Sequence, residues 1–265
     1  MKIISSGVVT NEYNDVLVMQ RKGSQNWCAP GGSPEKGELL TDGLAREVLA
    51  QTGMYTMPIR LVSADFGQDG LHFTFRCLIR GGDPTPSDES PQVGFHKFQA
   101  LPQPMGELDE VRLQQARNHV GPAQWQMKKG SGAFGAVRLL QGVWRRFGNE
   151  QPASAPVAWQ VEVMTAVCDT VGALVCRDRG LPQAICPDHE PPWDTAAKLV
   201  QGYKFSQIAG IYIEPNSTRM ILVFADQVAY RAEIPAGLDS QHQAILQDMR
   251  LDPDVTRVEY LPAVS

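Results

Sequence analysis

Apolar residues divide this chain into short alternating runs and a few stretches at helical spacing. Ile3–Val9 and Asp15–Arg21 read as strands, and the turn-forming Asn11-Glu12-Tyr13-Asn14 between them predicts a hairpin. Leu40, Leu44, Val48 and Leu49 then recur at helical spacing. Residues 42–51 are therefore read as a helix, with Thr41 as its N-cap and Gly53 as the left-handed residue that stops it. Ile59–Asp65 and Leu71–Ile79 predict a second antiparallel pair, and Val93–Phe98 a further strand. Leu108, Val111, Leu113, Ala116 and Val120 are the apolar positions of a closing helix.

The pattern breaks between 121 and 156, where Gly130-Ser131-Gly132, Gly135 and Gln151–Pro156 have the content of a linker. Within it, Val137, Leu140, Val143 and Trp144 give a short helix one apolar side. Lys128, Lys129, Arg138, Arg145 and Arg146 make the segment basic. Two readings stand: a helix whose apolar side docks between domains while its arginines stay wet, or a nucleic-acid-binding element.

Beyond the linker the pattern returns in weaker form. Residues 15–23 are echoed by 171–180 and Cys28-Ala29-Pro30 by Cys186-Pro187, at an offset near 158, as expected of an internal duplication. On this alignment Gly31-Gly32 becomes Asp188-His189, and a helix at Trp193–Gln201 replaces the first one without carboxylates on its Ala196–Gln201 run. Strands at Ile208–Ile213 and Met220–Asp226, a helix at Leu238–Met249 and a last strand at Val258–Leu261 follow. The expected organisation is one domain over 1–120, a linker over 121–156 and a second domain over 157–265.

With 43% hydrophobic and 20% charged residues the chain is globular, and its net charge of -5 gives no global case for nucleic-acid binding. No stretch of 18 uncharged apolar residues exists, so no membrane partner is expected. The first residues lack a signal-like apolar core, which suggests a cytoplasmic protein. Five cysteines without a Cys-x-x-Cys pair argue against a disulfide framework and a zinc site; Cys168 and Cys176 read as small core residues.

The chemistry concentrates in Trp27–Met54. Gly32, Glu38, Arg46, Glu47, Val48, Gly53 and Met54 have the spacing Gly-x5-Glu-x7-Arg-Glu-U-x-x-x-x-Gly-U, where U is bulky and apolar. This stretch, 31–54, resembles the Nudix box, except that Ala50 and Gln51 stand where that family places adjacent carboxylates. Positions 47, 50 and 51 are related as i, i+3 and i+4 and share a helix face, so three carboxylates there would suit a hard divalent cation. One carboxylate remains.

The resemblance implies an α/β fold: two Nudix-like α/β/α sandwich domains with mixed sheets, the first with a degenerate box and the second with none. It also implies Glu47 as the catalytic and metal-binding carboxylate, Glu89 as a further metal ligand, and Arg21, Gly31, Gly32, Glu38, Arg46 and Gln51 as ligand contacts. Glu35, Glu38, Asp42 or Glu89 could serve a displaced metal. Two functions follow: a non-hydrolysing module for a nucleotide or other small diphosphate-containing ligand, with weak Mg²⁺ or Mn²⁺ binding at most, or a metal-dependent Nudix pyrophosphohydrolase. The sequence leaves hydrolysis and oligomeric state open.

Overall fold

The computed structural model describes residues 1–67, 70–119, 121, 123–127, 157–201, 203, 205 and 207–263. The basic helix expected at 136–147 lies outside the described residues. In chain order the first half contains β1 (Ile3–Val9), β2 (Asp15–Gln20), β3 (Trp27–Cys28), β4 (Gly31–Gly32), α1 (Leu40–Thr52), β5 (Tyr55–Gly67), β6 (Gly70–Gly81), β7 (Gln92–Lys97), α2 (Glu107–Asn118) and β8 (Gln124–Met127). The second half contains β9 (Gln160–Ala166), β10 (Gln183–Ile185), α3 (Pro192–Leu199), β11 (Gln207–Ile213), β12 (Arg219–Ala225), α4 (Ser240–Met249) and β13 (Arg257–Tyr260).

Each half builds a five-stranded mixed sheet, β4-β1-β6-β5-β8 in the first and β10-β9-β12-β11-β13 in the second. The neighbouring pairs run antiparallel, parallel, antiparallel and parallel in both. A three-stranded sheet, β3-β2-β7, belongs to the first half and has no counterpart among the described residues of the second.

Several sequence expectations change. β1 and β2 do not form a hairpin: β1 lies in the five-stranded sheet between β4 and β6, β2 lies between β3 and β7, and a single bridge, Thr10 to Val16, joins the two runs. Helix α1 starts at Leu40 after Leu39, so Thr41 is inside the helix and no side chain caps it. Gly53 does end it, at φ 72°, donating its N–H to Leu49 O. Residues 124–127, in the stretch read as linker, form β8 and pair in parallel with β5. The 171–176 run forms no strand, only the bridges Cys168–Leu174 and Arg177–Gly180 around it, which leaves Cys176 exposed and not in the core. The Cys168 expectation holds: it is buried.

The two halves share one apolar core. Leu40, Leu44 and Val48 of α1, Ile3 of β1 and Phe73 and Phe75 of β6 join Val161, Val163, Ile211, Met220 and Phe224 of the second sheet in a single cluster. Phe66 meets Trp193 edge-to-face at 6.4 Å, and Trp125 meets Phe224 at 5.6 Å. The opposite faces have separate cores, one beneath α2 with Leu113 and Ala116, the other beneath α4 with Ile245, Leu246 and Met249. Each sheet is thus covered on both faces, as a strand order with buried central strands requires.

The two sheets can be compared through residues that enter the shared core. Ile3 and Val161 both point into it, as do Leu71 and Met220. In that register Ser5 pairs with Gly32 as Val163 pairs with Ala184, so Gly31-Gly32 corresponds to Gln183-Ala184. Asp188-His189 lies in the turn after β10.

Candidate functional site

The site forms where β4, the loop after it and α1 meet. β4 runs under the end of α1, and the approach is so close that a Cβ on Gly32 would lie 2.6 Å from the Glu47 carboxylate. A Cβ on Gly31 would lie 2.1 Å from Ser5 O on β1. The glycine pair therefore lets a helix side chain reach the strand backbone, which explains why a turn residue stands inside a paired strand.

Glu38 reaches back across the loop to Arg46. The guanidinium Nε donates to Glu38 Oε1 at 2.9 Å and Nη2 to Oε2 at 2.9 Å, a two-pronged pair, while Nη1 donates to Glu47 Oε1 at 2.6 Å. Burial is the largest influence and works to raise the Glu38 pKa, but the Arg46 hydrogen bonds, the Glu35 N–H and the Arg46 charge together outweigh it and hold the carboxyl below its usual range. The same bonds, chiefly the one to Glu38, raise the Arg46 pKa.

Gln51 closes the cluster from the other side. It is buried, at 1% exposure, not on the open flank that helical spacing suggested. Its Oε1 accepts the Gly31 N–H at 2.9 Å, and its Nε2 donates to Gly31 O at 3.0 Å and to Glu47 Oε2 at 2.9 Å. Arg21 Nη2 donates to the same Gly31 O at 2.6 Å. Ala50 faces solvent.

The structure thus brings Arg21, Gly31, Gly32, Glu38, Arg46, Glu47 and Gln51 together. Glu89 is an exposed loop residue beside this cluster: its backbone carbonyl accepts from Lys22 N at 2.8 Å, and Ser87 of the same loop donates to Gln51 O at 3.3 Å. Among the described residues no three His, Cys, Asp or Glu side chains gather as a metal cluster would.

A divalent cation of the magnesium type needs several oxygen donors free to turn toward it. Here both Glu47 oxygens and both Glu38 oxygens already accept from Arg46 or Gln51, and Gly31 O accepts from Arg21 and Gln51. The oxygen cluster is neutralised by a guanidinium pair and an amide, so the residues present do not fit such an ion.

Sequence reasoning did not single out the ground beside this cluster. Cys28 on β3 lies near Arg21 and near Asp109 of the first turn of α2; burial pushes its thiol up to about 11. Asp109 is in turn 3.8 Å from Arg112, which binds Asp65 Oδ2 on β5 at 2.9 Å.

The family model described as the NUDIX domain matches residues 2–127. A "MutT-like protein" of Streptomyces ambofaciens is 31% identical over 119 residues, covering 44% of this chain and 77% of that protein. The "8-oxo-dGDP phosphatase NUDT18" of Mus musculus is 30% identical over 114 residues, or 40% of this chain; the match spans 35% of the mouse protein's length. Among solved structures, a NUDIX hydrolase from Nitrosomonas europaea superposes over 48% of this chain and 79% of its own, with TM-score 0.43 and 24% identity.

Proposed function

The chain belongs to the Nudix family, and from that premise we propose that it binds a small nucleotide or other diphosphate-containing ligand without the divalent-cation cluster of a hydrolase. The observation that carries this reading is the Gln51 amide. Its Nε2 stands between Gly31 O and Glu47 Oε2, two oxygens that a bound cation would draw toward itself. An amide donates there without adding charge, so the site is satisfied in the absence of metal.

Arg21 supports the reading from the ligand side. It is an exposed cation anchored to Gly31 O, at the edge of the glycine pair. Residues 157–265 we read as a second copy of the fold, on the strength of the shared strand order; it lacks the box. The five free thiols suit a reducing compartment, and we place the protein in the cytoplasm. Among the described residues no helix is long and apolar enough to cross a membrane.

The printed activity of the mouse relative favours a second reading, a metal-dependent hydrolase of a nucleoside diphosphate. Calorimetry of inorganic pyrophosphate and nucleoside diphosphates with and without Mg²⁺ or Mn²⁺ separates the two. Binding that is indifferent to metal, with no product released, supports the module. Cleavage that requires metal supports the hydrolase.

A further inference from the structure

The β5–β6 pair is much longer than its counterpart in the second half. β5 has 13 residues and β6 has 12, whereas β11 and β12 have 7 each. The neighbouring strands do not follow this length: β1 reaches β6 only as far as Cys77, and β8 meets β5 only from Ser63 to Phe66. The Tyr55 end of the pair is therefore a two-stranded ribbon. One face of it is covered, since Thr56 and Cys77 are buried and Ile79 packs against the shared core. The other face is bare. Met57 and Leu78 stand opposite each other at 41% and 46% exposure, and Tyr55, two residues earlier on β5, is 58% exposed. Ile59, at a register shift, is exposed beside them. Helix α2 stops short of this face, where Arg76 donates to Ala116 O and, at 3.4 Å, to His119 O.

Positive charge borders the bare face. Arg60 pairs in register with Arg76, and Arg80 follows two residues after Leu78 on β6. Residues 55–60 and 76–81 contain no acid. Among the described residues neither Arg60 nor Arg80 forms an ion pair. His119 feels this field: burial first, and then the charges of Arg60 and Arg76, hold its pKa below the usual range. A cationic rim around exposed hydrocarbon, on a chain of net charge -5, is a local feature and not a general affinity for anions.

We propose that the ribbon face formed by Tyr55, Met57 and Leu78 and bordered by Arg60, Arg76 and Arg80 docks an acidic amphipathic segment of another protein. The segment's apolar side chains sit on the ribbon and its carboxylates meet the arginines. Opposed residues of a strand pair stand about 5 Å apart and alternate residues along a strand about 7 Å apart. Positions i and i+4 of a helix, about 6 Å apart, match that grid. Addition of a strand to the edge of β5 is the poorer fit, because Pro58 offers no N–H and the register shifts on either side of it. A second copy of this chain would set arginine against arginine. An extended anionic lipid surface would meet the negative charge of the whole chain, whereas a short segment meets only charges within a Debye length of about 8 Å. Nucleic acid would find one aromatic ring to stack on. The proposal stands apart from the diphosphate-binding reading and does not depend on it.

The test pans a library of displayed random peptides on the full chain, with the Met57→Ser, Leu78→Ser double variant as counter-selection. Enriched peptides are expected to carry Asp or Glu around apolar residues at helical spacing. A synthesised winner is expected to lose affinity about tenfold or more against that variant, and similarly against Arg60→Glu with Arg80→Glu. The same peptide with Lys in place of its acids is expected to bind the charge-reversed variant better than wild type. None of the four side chains is buried, so both variants are expected to keep the wild-type melting temperature. Hydrogen exchange of wild type with the peptide bound is expected to slow at 55–60 and 76–81. No enrichment, enriched peptides without acids, or protection elsewhere overturns the proposal. So does a dimer of the wild type, or its binding to phosphatidylserine vesicles or polyuridine, that the Met57→Ser, Leu78→Ser variant loses, because each assigns the face to another occupant.

Discussion

Gln51 holds Gly31 by both backbone groups at once, accepting its N–H at 2.9 Å and donating to its carbonyl at 3.0 Å. A side-chain amide has one acceptor and one donor end, and this pair uses them as a strand partner would. The end of α1 is thereby stitched to β4, with a second amide proton left for Glu47. A carboxylate at position 51 could accept from Gly31 N–H but would face Gly31 O and Glu47 with lone pairs.

Gln51→Glu alone should therefore destabilise the fold by roughly 2 kcal/mol at neutral pH, the scale of a buried hydrogen bond lost and an acceptor left facing acceptors. Ala50→Glu with Gln51→Glu should keep that loss in metal-free buffer. The double variant should regain stability with Mn²⁺ or Mg²⁺, while wild type does not respond. Thermal melts with and without metal, backed by calorimetry, check this. A double variant that ignores metal would mean that the loop around Glu38 and Arg46 also blocks the ion.

Glu38 gives a pH prediction. Its folded pKa lies below the unfolded value of about 4.3, because the Arg46 bonds and charge and the Glu35 N–H together outweigh burial. The stability it contributes is fully present above that value and is lost as pH falls through the folded pKa. Glu38→Gln should cost about 1 kcal/mol at pH 7, modest because Arg46 is 39% exposed. The gap between the two proteins should narrow from pH 5 to pH 3 in urea titrations. A gap that is constant across this range would assign the loss to packing and not to charge.

Gly37 touches the second half. Its φ is +72°, and a Cβ would lie 2.5 Å from Asn216 N in the turn between β11 and β12. Gly23 has nearly the same φ, +76°, with nothing within 4 Å. Gly23→Ala should cost only the backbone term, about 1–2 kcal/mol. Gly37→Ala should cost more, by an extra ~1–3 kcal/mol from overpacking. Equal losses in denaturant unfolding would show that the loop and the turn separate freely.

The shared core predicts that the first half does not stand well alone. Residues 1–127 expressed by themselves would expose Phe66, Phe73, Phe75 and Trp125 on the side now covered by Trp193, Met220 and Phe224. The fragment should bind an apolar dye and melt without the sharp transition of the full chain. A cooperative melt matching the full chain would contradict this.

The sequence by itself determined whatever rests on short-range spacing. Helix α1 and its left-handed stop at Gly53 and the β5–β6 and β11–β12 pairs all follow from residues near one another along the chain. So does the missing carboxylate face, since i, i+3 and i+4 positions meet on any helix. Only the tertiary structure decided what depends on contacts between distant segments. β1 and β2 look like a hairpin because each alternates well and a turn lies between, yet β1 gains more by pairing along its whole length with β6, 60 and more residues away. Gln51 reads as exposed by helical spacing, and is buried because β4 passes beneath it. Ser6, Ser63 and Thr74 stand on three separate strands, and sheet register places them side by side.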